Sequence, residues 1–250
     1  MQDVITLNST NEAIGLYVRK PTTGPELDLT DSFVNAYVAN FKTDTTALAV
    51  FREPRLTTGF PDVVLVEYIP ATFEKWAASR SKLKVTDLKV LQHLSGGIEQ
   101  ETETLLEQLG GTPPLMIKTL TNLLDSGLVN YKKNRWKIKA FNQIFGIKRL
   151  ISVEAKMKDW KGVFTQAQAN LWYASESYVL FPTLKLNTKA MAVAQNTGIG
   201  ILNFNLGRIL NIQPSKQLSL PRCYTSWLFN EWLGRVRNSN GNNLLGKPII

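Results

Sequence analysis

Two short stretches of the chain carry residue types able to handle a phosphate. One is Gly59-Phe60-Pro61-Asp62, which runs into Val63-Val64-Leu65-Val66. The other is Glu154-Ala155-Lys156, which closes Leu150-Ile151-Ser152-Val153. Hydrolysis of a phosphodiester needs charge neutralised on the phosphate oxygens, an activated water and a stabilised leaving oxygen. A divalent cation held by one or two carboxylates supplies much of this. Asp62 and Glu154 would hold Mg2+ (or Mn2+), with the carbonyl oxygen of Ala155 as a third ligand. Lys156 would stabilise the pentavalent phosphate or orient the attacking water. Alternation along the strand puts Glu154 and Lys156 on one face, about 6.5–7 Å apart. The bland alternative is that Glu154 and Lys156 form a solvated strand face and that Pro61-Asp62 is an ordinary strand start.

The elements that must position these residues read as follows. Val4 to Leu7 and Ile14 to Val18 suggest short strands, and Pro21 to Pro25 a loop. Thr30 is a candidate N-cap for a helix through Phe41, with Asp31 favourably placed in its first turn. Ala47 to Phe51 and Asp62 to Ile69 are strand-like. Val63–Val66 is apolar on both faces, so it should be central in its sheet. Lys148 to Met157 is a strand, Gly162 to Ser175 an amphipathic helix, and Tyr178 to Pro182 a buried strand. Lys189 to Gln195 is a helix, and Gly198 to Phe204 with Arg208 to Ile212 a hairpin. Pro221 to Val236 is a last helix carrying Trp227 and Trp232, followed by a flexible polar segment from Asn238 to Asn243.

Between the two motifs the texture is helical. Val85, Leu88, Leu91 and Leu94 keep helical spacing as far as Gly96-Gly97. A second helix spans about Glu101 to Leu109. A third follows Thr112-Pro113-Pro114 and carries Met116, Ile117, Leu120, Leu123 and Leu124. Leu128 to Tyr131 and Trp136 to Ile138 read as a hairpin with Lys132 to Arg135 at its tip. Residues 82–140 thus resemble a winged helix-turn-helix domain, on the strength of Leu120, Leu124 and Gly127-Leu128-Val129. That resemblance implies that Lys132, Lys133, Arg135 and Lys137 contact phosphate. It also implies that exposed Lys118, Thr119 and Asn122, on the third helix, read bases in double-stranded DNA. A three-helix module for protein contacts has the same topology.

Taken together, Pro61-Asp62 and Glu154-Ala155-Lys156 resemble the PD-(D/E)xK, or restriction-endonuclease-like, phosphodiesterases. Downstream, Gln166-Ala167-Gln168-Ala169 opening a helix and Tyr178-Val179-Leu180-Phe181-Pro182 closing a strand fit the same family. So does Asn196-Thr197-Gly198-Ile199-Gly200-Ile201-Leu202. The resemblance implies an α/β fold with a mixed central sheet flanked by helices. It also implies a glutamine near the scissile region: Gln168 first, Gln166 second. The chain departs from pattern in the separation of Asp62 and Glu154, which lie 92 positions apart. An inserted winged domain accounts for this, leaving a nuclease core of residues 1–81 and 141–250 with the C-terminal helix. The function this implies is Mg2+-dependent DNA cleavage in prokaryotic or phage restriction, repair or recombination. The alternative is a catalytically inactive DNA-binding regulator or assembly subunit on the same fold.

Composition narrows the classes. The 250 residues carry a net charge of +9 at pH 7 and a pI near 9.6, which suits a polyanionic partner. Five of the eight residues from Lys132 to Lys139 are basic and none is acidic. Cys223 is the only cysteine, so no intrachain disulfide and no cysteine zinc cluster can form. His93 is the only histidine and lies in the helical stretch, which leaves little room for a histidine nuclease or a Ser-His-Asp hydrolase. No apolar run nears the roughly 20 residues that span a bilayer. No signal peptide or nucleotide-cofactor motif is seen, and the expected location is cytoplasmic. Glu53 is a possible outer acid. Aromatic residues near the C-terminus suggest core or homodimer contacts.

Overall fold

A computed structural model describes residues 4–158, 160–182 and 188–239. The polar segment expected from Asn238 to Asn243 lies outside the described residues beyond Ser239. In chain order the strands and helices begin with β1 (Val4–Leu7), α1 (Pro25–Asn40), β2 (Ala47–Arg52) and β3 (Val63–Tyr68). Next come α2 (Ala71–Glu74), α3 (Val85–Leu94), α4 (Thr102–Leu109), α5 (Pro113–Asp125), β4 (Val129–Lys132), β5 (Arg135–Ile138) and α6 (Phe141–Ile144). The chain continues through β6 (Ile147–Ala155), α7 (Trp160–Asn170), β7 (Glu176–Phe181), α8 (Thr188–Thr197), β8 (Gly200–Asn205), β9 (Arg208–Gln213) and α9 (Tyr224–Ser239). These pack into two compact units, one of Met1–Ile69 with Ile147–Arg222, the other of Pro70–Gly146 with Cys223–Ile250.

The first unit is a mixed seven-stranded sheet in the order β1-β2-β3-β6-β7-β8-β9, flanked by helices. β3 runs antiparallel to both its neighbours, β2 and β6; β6, β7 and β8 are parallel, linked through α7 and α8. β3 is central, and Val63 to Val66 are fully buried, as residues apolar on both faces must be. One face carries Val50, Leu65, Val153 and Leu180 against Leu29 and Phe33 of α1. The other carries Val179 and Ile201 against Val163, Phe164 and Ala167 of α7 and Ala190 of α8. α1 begins at Pro25, not at Thr30. Proline at the first helical position loses no needed hydrogen bond, and Glu26 and Asp28 occupy the acid-favouring first turn. Thr30 lies inside the helix, its hydroxyl donating to the Glu26 carbonyl, and Asp31 pairs with Arg52.

The second unit holds α3, α4, α5 and the β4–β5 hairpin, which turns through Lys133 and Asn134 at positive φ. Its extent differs from the 82–140 module read from sequence. It starts at Pro70, ends at Gly146, and takes in α9, which the sequence reading assigned to the sheet domain. The reason is packing. α9 buries Trp227, Phe229, Trp232 and Leu233, and Trp227 donates its indole N–H to Gln92 of α3 at 3.0 Å. Arg80 lies over the Trp76 ring, 3.6 Å from its centroid. It donates to both oxygens of Glu231 on α9. Both charges are buried, and losing one partner of such a pair costs about 3–5 kcal/mol. α9 is therefore a structural part of this unit.

Candidate functional site

The β3–β6 register brings the two sequence motifs together. Val63 lies opposite Val153, so Asp62 lies opposite Glu154. Backbone N–H groups hold both carboxylates. Asp62 Oδ2 accepts the N–H of Ala155 at 2.8 Å, and the Glu154 carboxylate accepts the N–H of Asp62. Glu154 is only 3% exposed. Its Oε1 accepts a hydrogen bond of 2.6 Å from Asn170 Nδ2 on α7.

The electrostatics follow from two acids held this close and this deep. Burial pushes Glu154 up to about 8, and the charge on Asp62 adds to the rise; Asn170, the Asp62 N–H and Lys156 oppose it. Asp62 is also raised, first by burial and then by Glu53, against the pull of the Ala155 N–H, Lys156 and Arg19. Two such groups titrate as a pair, each charge favouring the protonated form of the other. Their donor set is hard oxygen, and burial is the first cause of the raised proton affinity of both. No cluster of three or more His, Cys, Asp or Glu suited to a metal occurs among the described residues. A cation at this pair would have two carboxylates and keep several waters, as Mg2+ commonly does. The residues present therefore fit that ion.

Lys156 departs from the expected geometry. β6 ends at Ala155, so strand alternation does not carry through to the next side chain. Glu154 turns to α7, whereas Lys156 Nζ donates to Glu26 Oε2, in the first turn of α1, at 2.9 Å. Lys156 still lies near enough for its charge to favour ionised Asp62 and Glu154. Glu53 lies alongside Asp62: its N–H donates to the Asp62 carbonyl at 3.2 Å, and its carboxylate pairs with Arg19.

Gln168 and Gln166 are not brought to the site. Both are exposed on α7, which buries Val163, Phe164, Ala167 and Asn170. Two residues along a helix is a turn of about 200°, so Gln168 points away when Asn170 points in. Asn170 is the residue the sequence reading missed. Its signal was a polar side chain on the apolar stripe of Val163 and Ala167.

The residues expected to contact DNA divide. Lys118, Lys132 and Lys133 are exposed. Thr119 is not: it is 4% exposed and packs in the core of its unit. It is replaced on the surface by Ile117 and Leu124, which the apolar pattern had placed inside. Asn122 is half-buried and donates weakly to Asp87 at 3.4 Å. Arg135 and Lys137 are exposed but paired, with Glu101 at 3.4 Å and Glu99 at 2.9 Å. Lys137 accordingly holds Glu99 below the usual carboxylate range. His93 accepts or donates at Gln108, 2.6 Å away, within its own helical unit.

Among the described residues no helix is long and apolar enough to cross a membrane. No family model, curated protein or solved structure matches the chain.

Proposed function

We propose that this chain is a metal-dependent deoxyribonuclease of the restriction-endonuclease-like type that cleaves double-stranded DNA in prokaryotic or phage restriction, repair or recombination. The observation that carries this is the meeting of buried Glu154 with half-buried Asp62 where β3 pairs with β6, Asp62 held by the Ala155 N–H and both carboxyls raised together. Structural acids are normally paired with cations or exposed; two adjacent carboxyls with raised proton affinity suit a divalent ion and a phosphate. Asp62 and Glu154 would hold Mg2+ or Mn2+, with the Ala155 carbonyl beside them. Bound there, the ion would neutralise phosphate charge and acidify a water. Asn170 fixes the orientation of Glu154, and Lys156 moves from Glu26 to the phosphate when that stronger anion arrives.

The second unit supports a DNA partner. It carries fourteen Lys and Arg against eight Asp and Glu, so most of the chain's positive excess is there. Three helices followed by a hairpin with Lys132 and Lys133 at its turn support a winged-helix reading in which those lysines meet phosphate. The pairing of Lys156 with Glu26 favours a second reading, a DNA-binding subunit that no longer cuts.

The test is cleavage of duplex DNA with Mg2+ or Mn2+ by purified wild type, Asp62→Ala and Lys156→Ala. Each substitution should lower the rate by at least about a hundredfold. Equal cleavage by all three proteins would end the nuclease reading. Salt-dependent DNA binding with no cleavage under any divalent metal would favour the second one.

A further inference from the structure

Arg19 is the other cation at the carboxylate pair, and the stability of the unit does not explain how it is held. It lies between β1 and α1, where Val18 bridges Pro54. The Arg19 N–H donates to the Glu53 carbonyl at 3.1 Å, and the Arg55 N–H donates to the Tyr17 carbonyl at 2.8 Å. Glu53, the residue it meets, has φ of +43°. A non-glycine residue there costs about 1–3 kcal/mol and persists only where its surroundings enforce it. A partly exposed ion pair returns at most about 1 kcal/mol. The strain is thus at least as large as what the pair gives back to the fold.

The way Arg19 is held leaves half of it available. Its Nε bonds the Glu53 carboxylate, and its guanidinium sits over Phe60, 5.2 Å from the ring centroid. Those two contacts fix the plane of the fork. The terminal nitrogens Nη1 and Nη2 have no partner among the described residues, and the side chain is 49% exposed. Glu53 joins this group directly to the site, because its N–H bonds the Asp62 carbonyl. A planar guanidinium with its inner edge fixed and its outer nitrogens open matches the two oxygens of a phosphate.

We infer that Arg19 is a phosphate-binding residue of this site, its Nη1 and Nη2 clamping a backbone phosphate of the strand bound at Asp62 and Glu154. Glu53 is the positioning residue that orients the fork. The inference rests on the reading of this end of the sheet as a nucleic-acid site, and it adds a contact that acts in binding. A clamp that holds ground and transition states alike raises KM and leaves kcat nearly unchanged.

The experiment uses the 250-residue chain. DNA affinity is measured against salt for Arg19→Ala and Arg19→Lys, each in an Asp62→Asn background that removes cleavage. KM and kcat are measured for the same Arg19 substitutions alone. Arg19→Ala should flatten the slope of log affinity against log salt by about 0.9 and raise KM about tenfold. Arg19→Lys should restore the slope, because its charge still neutralises the phosphate, but not the KM, because an ammonium is no fork. Glu53→Gln should raise KM with the slope unchanged. Wild-type slope and KM in Arg19→Ala, with wild-type cleavage intact, overturn the inference and leave the nuclease reading standing. A flattened slope in a protein that never cleaves upholds the clamp and removes the nuclease reading. If Arg19→Ala fails to fold, Arg19→Lys and Glu53→Gln decide the matter, and wild-type KM in both overturns it.

Discussion

Glu154→Gln should stabilise the sheet unit at high pH and not at low pH. Burial and the Asp62 charge move the Glu154 carboxyl from its ordinary 4.5 to about 8. The folded pKa lies above the unfolded one, so the folded state holds a proton that the unfolded state has lost. That favourable contribution is complete below about pH 4.5 and is lost as pH rises through about 8. At about 1.4 kcal/mol per tenfold change in proton affinity, the ceiling is about 5 kcal/mol. Coupling to Asp62, and relaxation around an ion once formed, reduce this to about 2–3 kcal/mol. Glutamine removes the ionisation at small cost. Its oxygen can accept from the fixed Asp62 N–H, and Asn170 can flip its amide to accept from the new NH2. In thermal melts followed by circular dichroism in EDTA, the two proteins should agree within a few degrees at pH 5. At pH 9 the variant should melt about 5–10 °C higher. Mg2+ should close much of that gap by binding only the ionised wild type. Curves that stay parallel from pH 5 to pH 9 would refute the reasoning.

Asn170→Ala should cost about 1–3 kcal/mol, because it strips a donor from a buried acceptor. It should also move the acidic limb of the activity profile to higher pH, since Asn170 is the largest influence holding Glu154 down; an unmoved limb would contradict this. Lys132→Ala with Lys133→Ala should flatten the salt dependence of DNA binding by about 2. Lys137→Ala should flatten it less, because Glu99 already offsets that charge, and equal effects per lysine would show that the ion pair opens freely on binding.

The sequence disclosed most where one residue pattern had one physical solution. Val63 to Val66 can only be buried on both faces, and that placed β3 in the centre and Asp62 at its end. The meeting of Asp62 with Glu154 followed from element order once the helical stretch between them was set aside. Signals with two solutions misled. Pro25 and Thr30 both open helices, and the choice between them turned on proline being tolerated at the first position. Gln168 and Asn170 lie in one helix, and only its apolar stripe tells which faces the sheet. Lys156 was placed by an alternation that stops one residue earlier. The aromatic face of α9 was legible as buried, but nothing local says which unit covers it. Arg80 and Glu231 are 151 positions apart, and no short-range pattern links them.

The shared ownership of the second unit has a consequence for synthesis. Its first segment, Pro70–Gly146, is made well before the segment that begins at Cys223. Until α9 is available, Arg80 has no Glu231 and the surfaces that cover Trp227 and Trp232 have nothing to close on. The nascent helices around α3 and α5 therefore wait as an open, unneutralised half. During that wait the ribosome must deliver all of β6 to β9. Chain order therefore allows the sheet to complete its strands, and Asp62 to meet Glu154, before α9 closes the second unit.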